Sequence, residues 1–121
     1  MIQDVSDLKV YKESLRLLEK LYNFLIKLPR SEYDTVMQCK KCSKSIPANI
    51  AEGFAKRSSG KEFKRFLKIA LASSDELITH LRTVVITSPR LSKEADSLAN
   101  EYKVLSKRIN SLHAVWKSGI Y

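Results

Sequence analysis

Glycine and proline are scarce, three of each in 121 residues. Few breakers leave few turns, so the chain is expected to be a small number of long elements. No apolar run approaches the roughly 20 residues of a membrane span. The opening stretch from Met1 to Asp7 has neither the basic region nor the apolar core of a secretory signal. Two cysteines in such a chain suit a reducing compartment. The expectation is a cytoplasmic protein without membrane contact. Acidic residues are also in short supply, 13 against 22 lysines and arginines, for a net charge of +9. The length allows one domain, residues 1–121, with a core that needs neither metal nor disulfide.

What the chain does have is helical periodicity throughout. Leu8, Tyr11, Leu15, Leu18, Tyr22 and Leu25 recur at spacings of three and four, and Pro29 ends that segment. Ser31 is placed to cap a second helix, with Asp34 as its capping-box partner. Val36, Cys39, Ser43, Ile46, Ile50 and Phe54 mark its inner face. Ser59 and Glu62 make the next capping box, ahead of Phe63, Leu67, Ala70, Ser74, Leu77, Leu81 and Val84. After Thr87-Ser-Pro-Arg90 the rhythm resumes with Ala95, Leu98, Tyr102, Leu105, Ile109, Leu112 and Trp116, and Gly119 is placed to stop it. The expected helices cover about 7–28, 32–57, 60–86 and 92–118. Short breaks between long helices give an all-α, antiparallel up-down-up-down four-helix bundle. Pro47, inside the second helix, should kink it by freeing the Ser43 carbonyl.

The first helix carries a second apolar row, Val10, Leu17, Leu21, Phe24 and Leu28. An arc that wide is either a broad core face or a surface shared with a second copy. Self-association through this second row is the expectation.

Several chemistries lack their residues. Cys39 and Cys42 stand in C-x-x-C spacing, yet mid-helix rather than at the helix N-terminus that activates such thiols. Zinc would need two further ligands, and only His80 and His113 remain, on different helices. The cysteines read as structural, with Cys39 facing the core and Cys42 off its edge. A di-iron bundle needs Glu-x-x-His pairs, and Glu76 is followed at that spacing by Thr79, His80 coming one residue late. No glycine-rich phosphate loop is present, and neither histidine has a local Ser or Cys partner. No enzyme, cofactor or metal is expected.

Charge is concentrated. Between residues 40 and 68 lie nine basic residues (Lys40, Lys41, Lys44, Lys56, Arg57, Lys61, Lys64, Arg65 and Lys68) and two acids, Glu52 and Glu62. At 100° per residue, Lys61, Lys64, Arg65 and Lys68 share the outward arc of the third helix. Lys40, Lys41 and Lys44 flank the second, and Lys56 and Arg57 fill the turn. A solvated helix face is the ordinary explanation of such lysines, but ordinary surfaces intersperse both signs. An anionic partner is expected, RNA or DNA held through its phosphates, or else an acidic protein. No exposed aromatics are interleaved for base stacking, so recognition should be weakly sequence-specific.

Ser45-Ile-Pro-Ala-Asn-Ile-Ala-Glu-Gly53, then Lys61-Glu-Phe-Lys-Arg-Phe-Leu-Lys-Ile-Ala-Leu71, resembles the four-helix-bundle family of 23S rRNA-intervening-sequence proteins. Asp7-Leu-Lys-Val-Tyr-Lys12 and Leu28-Pro29 are similar to that family's first helix. Ala72 stands where the family often has glycine. The resemblance implies a homo-oligomer, typically a five-membered ring. It also implies a nucleic-acid-facing basic surface, with Lys40 and Lys41 at the family's basic pair, and no enzymatic activity. Relatives that accompany the reverse transcriptases of diversity-generating retroelements make such an enzyme a further expected partner. Within the motif, Pro47 and Gly53 are expected to shape packing, with Ala48 and Ala51 allowing close helix approach. Asn49 and Glu52 are each expected to hold a specific hydrogen bond if buried.

Overall fold

Three 3-10 turns and one serine cap set where the helices begin. The computed structural model describes residues 2–116. Its helices are α1 (Lys9–Leu25), α2 (Tyr33–Ala55), α3 (Gly60–Thr87) and α4 (Ser92–Val115). Ahead of α1, Asp4 and Asp7 close a reciprocal capping box around the turn Val5–Asp7. The chain therefore enters α1 two residues later than periodicity predicts. It also leaves early, because the Lys27 and Leu28 amides bond the Phe24 and Leu25 carbonyls in a tighter final turn. The expected Ser31 cap does not form. Ser31 lies inside a 3-10 turn, Arg30–Glu32, closed by the Glu32 amide on the Pro29 carbonyl at 2.9 Å, and α2 starts only at Tyr33. Ser59 does cap α3, accepting from the Glu62 amide at 3.2 Å. Glu62 completes no box, since its carboxylate turns to Arg65 instead.

The four helices pack as a bundle around one core. Cross-helix bonds give the directions. Lys20 meets Glu101 and Lys27 meets Glu94, so α1 and α4 run oppositely. Cys42 meets Glu76 and Ser45 meets Ser73, which does the same for α2 and α3. α2, α3 and α4 form the closely packed part of the bundle, and α1 lies against α2 and α4 with less contact. Gly53 shows how close α2 comes to α3. A Cβ there would stand 2.6 Å from the Cβ of Phe66 and 2.9 Å from Cδ1 of Phe63. α2 passes unbroken through the buried Pro47.

On α2, α3 and α4 the predicted stripes are the buried ones: every predicted α3 position is buried, and only Val36 and Leu112 are half-exposed. On α1 it is chiefly the second row that is buried. Val10, Leu17, Leu21 and Phe24 are buried in the protomer's own core, Leu17 and Leu21 completely, and Leu28 is half-buried against it. Val10, Leu17, Leu21 and Phe24 therefore cannot form a surface for a second copy. The other row is buried at its two ends, Leu8 and Leu25; between them Tyr11, Leu18 and Tyr22 are half-buried and Leu15 is exposed. The physical cause is that α1 lies between α2 and α4, opposite α3, and meets each of the two with modest contact. The groove between them takes one stripe, which either row could supply.

α4 ends at Val115 rather than 118, and the expected stop at Gly119 lies outside the described residues. Trp116 leaves the helix in extended conformation and turns onto Phe63, edge to face with centroids 4.5 Å apart. No helix among the described residues is long and apolar enough to cross a membrane.

Candidate nucleic-acid interface

The nine predicted basic residues divide into three groups. The largest surrounds the α2–α3 turn. There Phe66, half-buried, is covered by two cations, with Lys56 Nζ 4.8 Å and the Arg65 guanidinium 4.3 Å from its ring centre. Arg57 lies over Phe54 at 4.0 Å and donates to that residue's own carbonyl at 3.0 Å. In each case the charged group itself lies over the negative face of the ring, a cation–π contact. The two acids of the segment each neutralise one cation. Glu52 pairs with Lys56 at 3.0 Å, and Glu62 with Arg65 at 3.0 Å. That contact holds the Glu62 carboxyl below the usual carboxylate range. Among the described residues, Lys61, Lys64 and Lys68 have no carboxylate partner.

Lys64 and Lys68 extend this group along α3 toward α4. Their positive charges, together with burial as the larger cause, lower the His113 pKa. Lys40 and Lys44 form a second group on the other side of α2. Both ammonium groups lie over Tyr22 of α1, at 5.3 and 5.7 Å. At about 1.5 Å rise per residue, Lys44 is roughly 18 Å from Lys56 along the helix. Lys41 stands alone near the middle of the α2–α3 face, where its charge reaches Cys42 and Glu76. The segment read as one patch is thus a dense basic end with two outliers. Sequence reading also missed the aromatics, because Lys56 reaches Phe66, and Lys40 and Lys44 reach Tyr22, from a different helix or its cap.

The motif between the groups is structural in its contacts. Asn49 is half-buried and donates to the Ser45 carbonyl and hydroxyl at 2.8 and 2.9 Å, and Ser45 bonds Ser73 of α3 at 2.8 Å. Glu52 is exposed and, among the described residues, pairs only with Lys56 one turn on. Gly53 permits the close α2–α3 crossing that sets Phe66 beside Lys56. The profile described as 23S rRNA-intervening sequence protein matches residues 6–111. The chain belongs to this family. No curated protein is significantly similar to it in sequence.

Two further surfaces of this 23S rRNA-intervening sequence protein family member fall outside the basic group. Along the α1–α2 seam, Leu15, Leu18 and Tyr22 line one shallow groove, and Tyr22, Ile26, Leu28, Tyr33 and Val36 line the next. Ile26 is 81% exposed and Tyr33 62%, large values for residues of their type. On the α2–α3 face, Cys42 is buried rather than off the core's edge, and its thiol donates to Glu76 Oε2 at 2.9 Å. His80, one turn after Glu76, meets the same oxygen through Nε2 at 3.2 Å. Burial first, then the Glu76 contact, pushes the Cys42 thiol up to about 12. An unmetallated thiol so held is protonated and a poor nucleophile. The i,i+4 spacing of Glu76 and His80 was visible in sequence. Cys42 joins them only through the register between α2 and α3.

Proposed function

We propose that this family member is a non-enzymatic, homo-oligomeric scaffold that binds RNA or DNA by its phosphates. The observation that carries the reading is the dense basic end of α3. Lys61, Lys64 and Lys68 have no carboxylate partner among the described residues and stand beside Lys56, Arg57 and Arg65. A surface on which one sign of charge dominates attracts a polyanion and lacks the interspersed acids of an inert helix face. The aromatic rings are half-covered by cations and offer little stacking area, so contacts to the phosphate backbone dominate and sequence preference is weak.

Self-association is assigned to the α1–α2 seam rather than to the second apolar row of α1. Ile26 and Tyr33, set in the apolar grooves around Tyr22, supply its exposed apolar surface. Several basic ends presented by one oligomer would engage one strand together and multiply a weak single-site affinity.

The test is a titration of labelled RNA and duplex DNA at low and physiological salt. Wild type should bind both, with affinity falling by a log–log slope of about 0.7–0.9 per phosphate contact. Lys61→Glu, Lys64→Glu and Lys68→Glu together should abolish most of the binding and leave helicity unchanged. Equal, negligible binding by wild type and variant at low salt would refute the nucleic-acid reading in favour of an acidic protein partner.

A further inference from the structure

We propose that Cys42, Glu76 and His80 form a zinc-class metal site on the α2–α3 face of the bundle. One ligand atom from each residue, Sγ from Cys42, a carboxylate oxygen from Glu76 and a ring nitrogen from His80, lies within 4.8 Å of the other two. Two of the separations are 2.9 and 3.2 Å. In a tetrahedral zinc centre, ligand atoms bound at the usual lengths stand about 3.3–3.6 Å apart. The three atoms therefore already occupy one face of such a tetrahedron to within about an ångström. Rotamer adjustments can absorb the difference, because Glu76 is exposed and His80 only half-buried.

The donor set decides the class of ion. A thiolate, an imidazole and a carboxylate together suit zinc and its cobalt surrogate, whereas magnesium and calcium take oxygen shells. The charges balance: one thiolate and one carboxylate neutralise a divalent ion, and imidazole binds uncharged. On coordination the Cys42 thiol proton is released to solvent and a sulfur–metal bond replaces its hydrogen bond to Glu76. Three protein ligands leave the fourth position for water on the exposed side, where Glu76 stands.

The rest of the surroundings is compatible. Lys41 is the nearby cation, felt by both Cys42 and Glu76, and the two anionic ligands offset it. Cys39 is wholly buried in the core and is not one of the three converging groups. A bound ion would join the middle of α2 to α3, close to the Ser45–Ser73 bond. The site is separate from the basic end and does not depend on nucleic-acid binding.

The experiment uses the full chain stripped with a chelator, then titrated with zinc against a chromophoric competitor and, in parallel, with cobalt. One equivalent should bind with a dissociation constant of about 1 μM or tighter. Cobalt should give thiolate-to-metal charge-transfer absorption, with the d–d intensity of a four-coordinate centre. At a hundredfold excess over the dissociation constant, zinc should raise the melting temperature by roughly 10 °C. Cys42→Ser should remove the charge-transfer band, and His80→Gln should weaken binding at least about tenfold. His113→Gln should change neither. His80 is half-buried and on the rim, so its variant remains informative if Cys42→Ser proves unstable. Absence of the charge-transfer band in wild type, or zinc affinity untouched by His80→Gln, would overturn the proposal.

Discussion

Replacing Gly53 by alanine sets two opposed effects against each other. Alanine is the better helix former by about 1 kcal/mol in a helix interior, so on α2 alone Gly53→Ala would stabilise. The new methyl group, however, would lie 2.6 Å from Phe66 Cβ, 2.9 Å from Phe63 Cδ1 and 3.3 Å from the Phe63 carbonyl oxygen. The first of these atoms is fixed to the α3 backbone and the third belongs to it, so no side-chain rotation relieves the contact. α2 must move back by the better part of an ångström, loosening the buried seam from Ile50 to Phe63. Overpacking of this kind costs about 1–3 kcal/mol, and the loosened seam places this case toward the upper end. The net expectation is a loss of about 1–2 kcal/mol after the propensity gain. Urea denaturation followed by far-ultraviolet circular dichroism, at one fixed protein concentration, measures it as a lower midpoint with an unchanged slope. Phe66→Ala retains the offending Cβ and should not rescue the variant, whereas Phe66→Gly should show positive coupling with it. A Gly53→Ala protein as stable as wild type, or one restored by Phe66→Ala, would refute the account of this crossing.

Ile26→Glu with Tyr33→Glu should yield a folded species of smaller mass by sedimentation, while Leu17→Glu, which forces a charge into the core, should unfold the chain. The Tyr102 hydroxyl is buried and finds no hydrogen-bond partner among the described residues, so Tyr102→Phe should leave the melting temperature unchanged or raise it slightly. Burial pushes the Cys39 thiol up to about 12 from 9.0. Its protonated form is therefore favoured in the folded state. The corresponding stability is complete below about pH 9 and declines as pH climbs toward 12. Cys39→Ala should flatten that decline in pH-dependent melting, and native Cys39 should resist thiol reagents at pH 8.

Each of α2, α3 and α4 presents one apolar stripe, and for these helices period alone identified the buried side. α1 presents two, and the choice between them depends on how it sits across α2 and α4, which is tertiary information. The ends were less legible for a similar reason. Ser31 carries a cap signal, but Pro29 starts a 3-10 turn that absorbs it. The basic residues were all visible, while their grouping was not, since Lys40 and Lys44 turn to a tyrosine on another helix. The trio of Cys42, Glu76 and His80 shows the same limit. Spacing along one helix is readable, and alignment between two helices is not.

The ion pairs that join α1 to α4 have an experimental consequence. Arg16 and Lys20 both reach Glu101, and Lys27 reaches Glu94; Glu101 is half-buried and the other side chains are exposed. Such pairs contribute only about 0–1 kcal/mol each and weaken as salt rises. α1 also has less contact with the rest of the bundle, so it is the segment whose amides should exchange first with solvent deuterium. The same salt that strips phosphates from the basic end therefore loosens the helix bearing half of the seam assigned to self-association. A salt titration reads two equilibria at once, and oligomer mass followed alongside bound nucleic acid separates them.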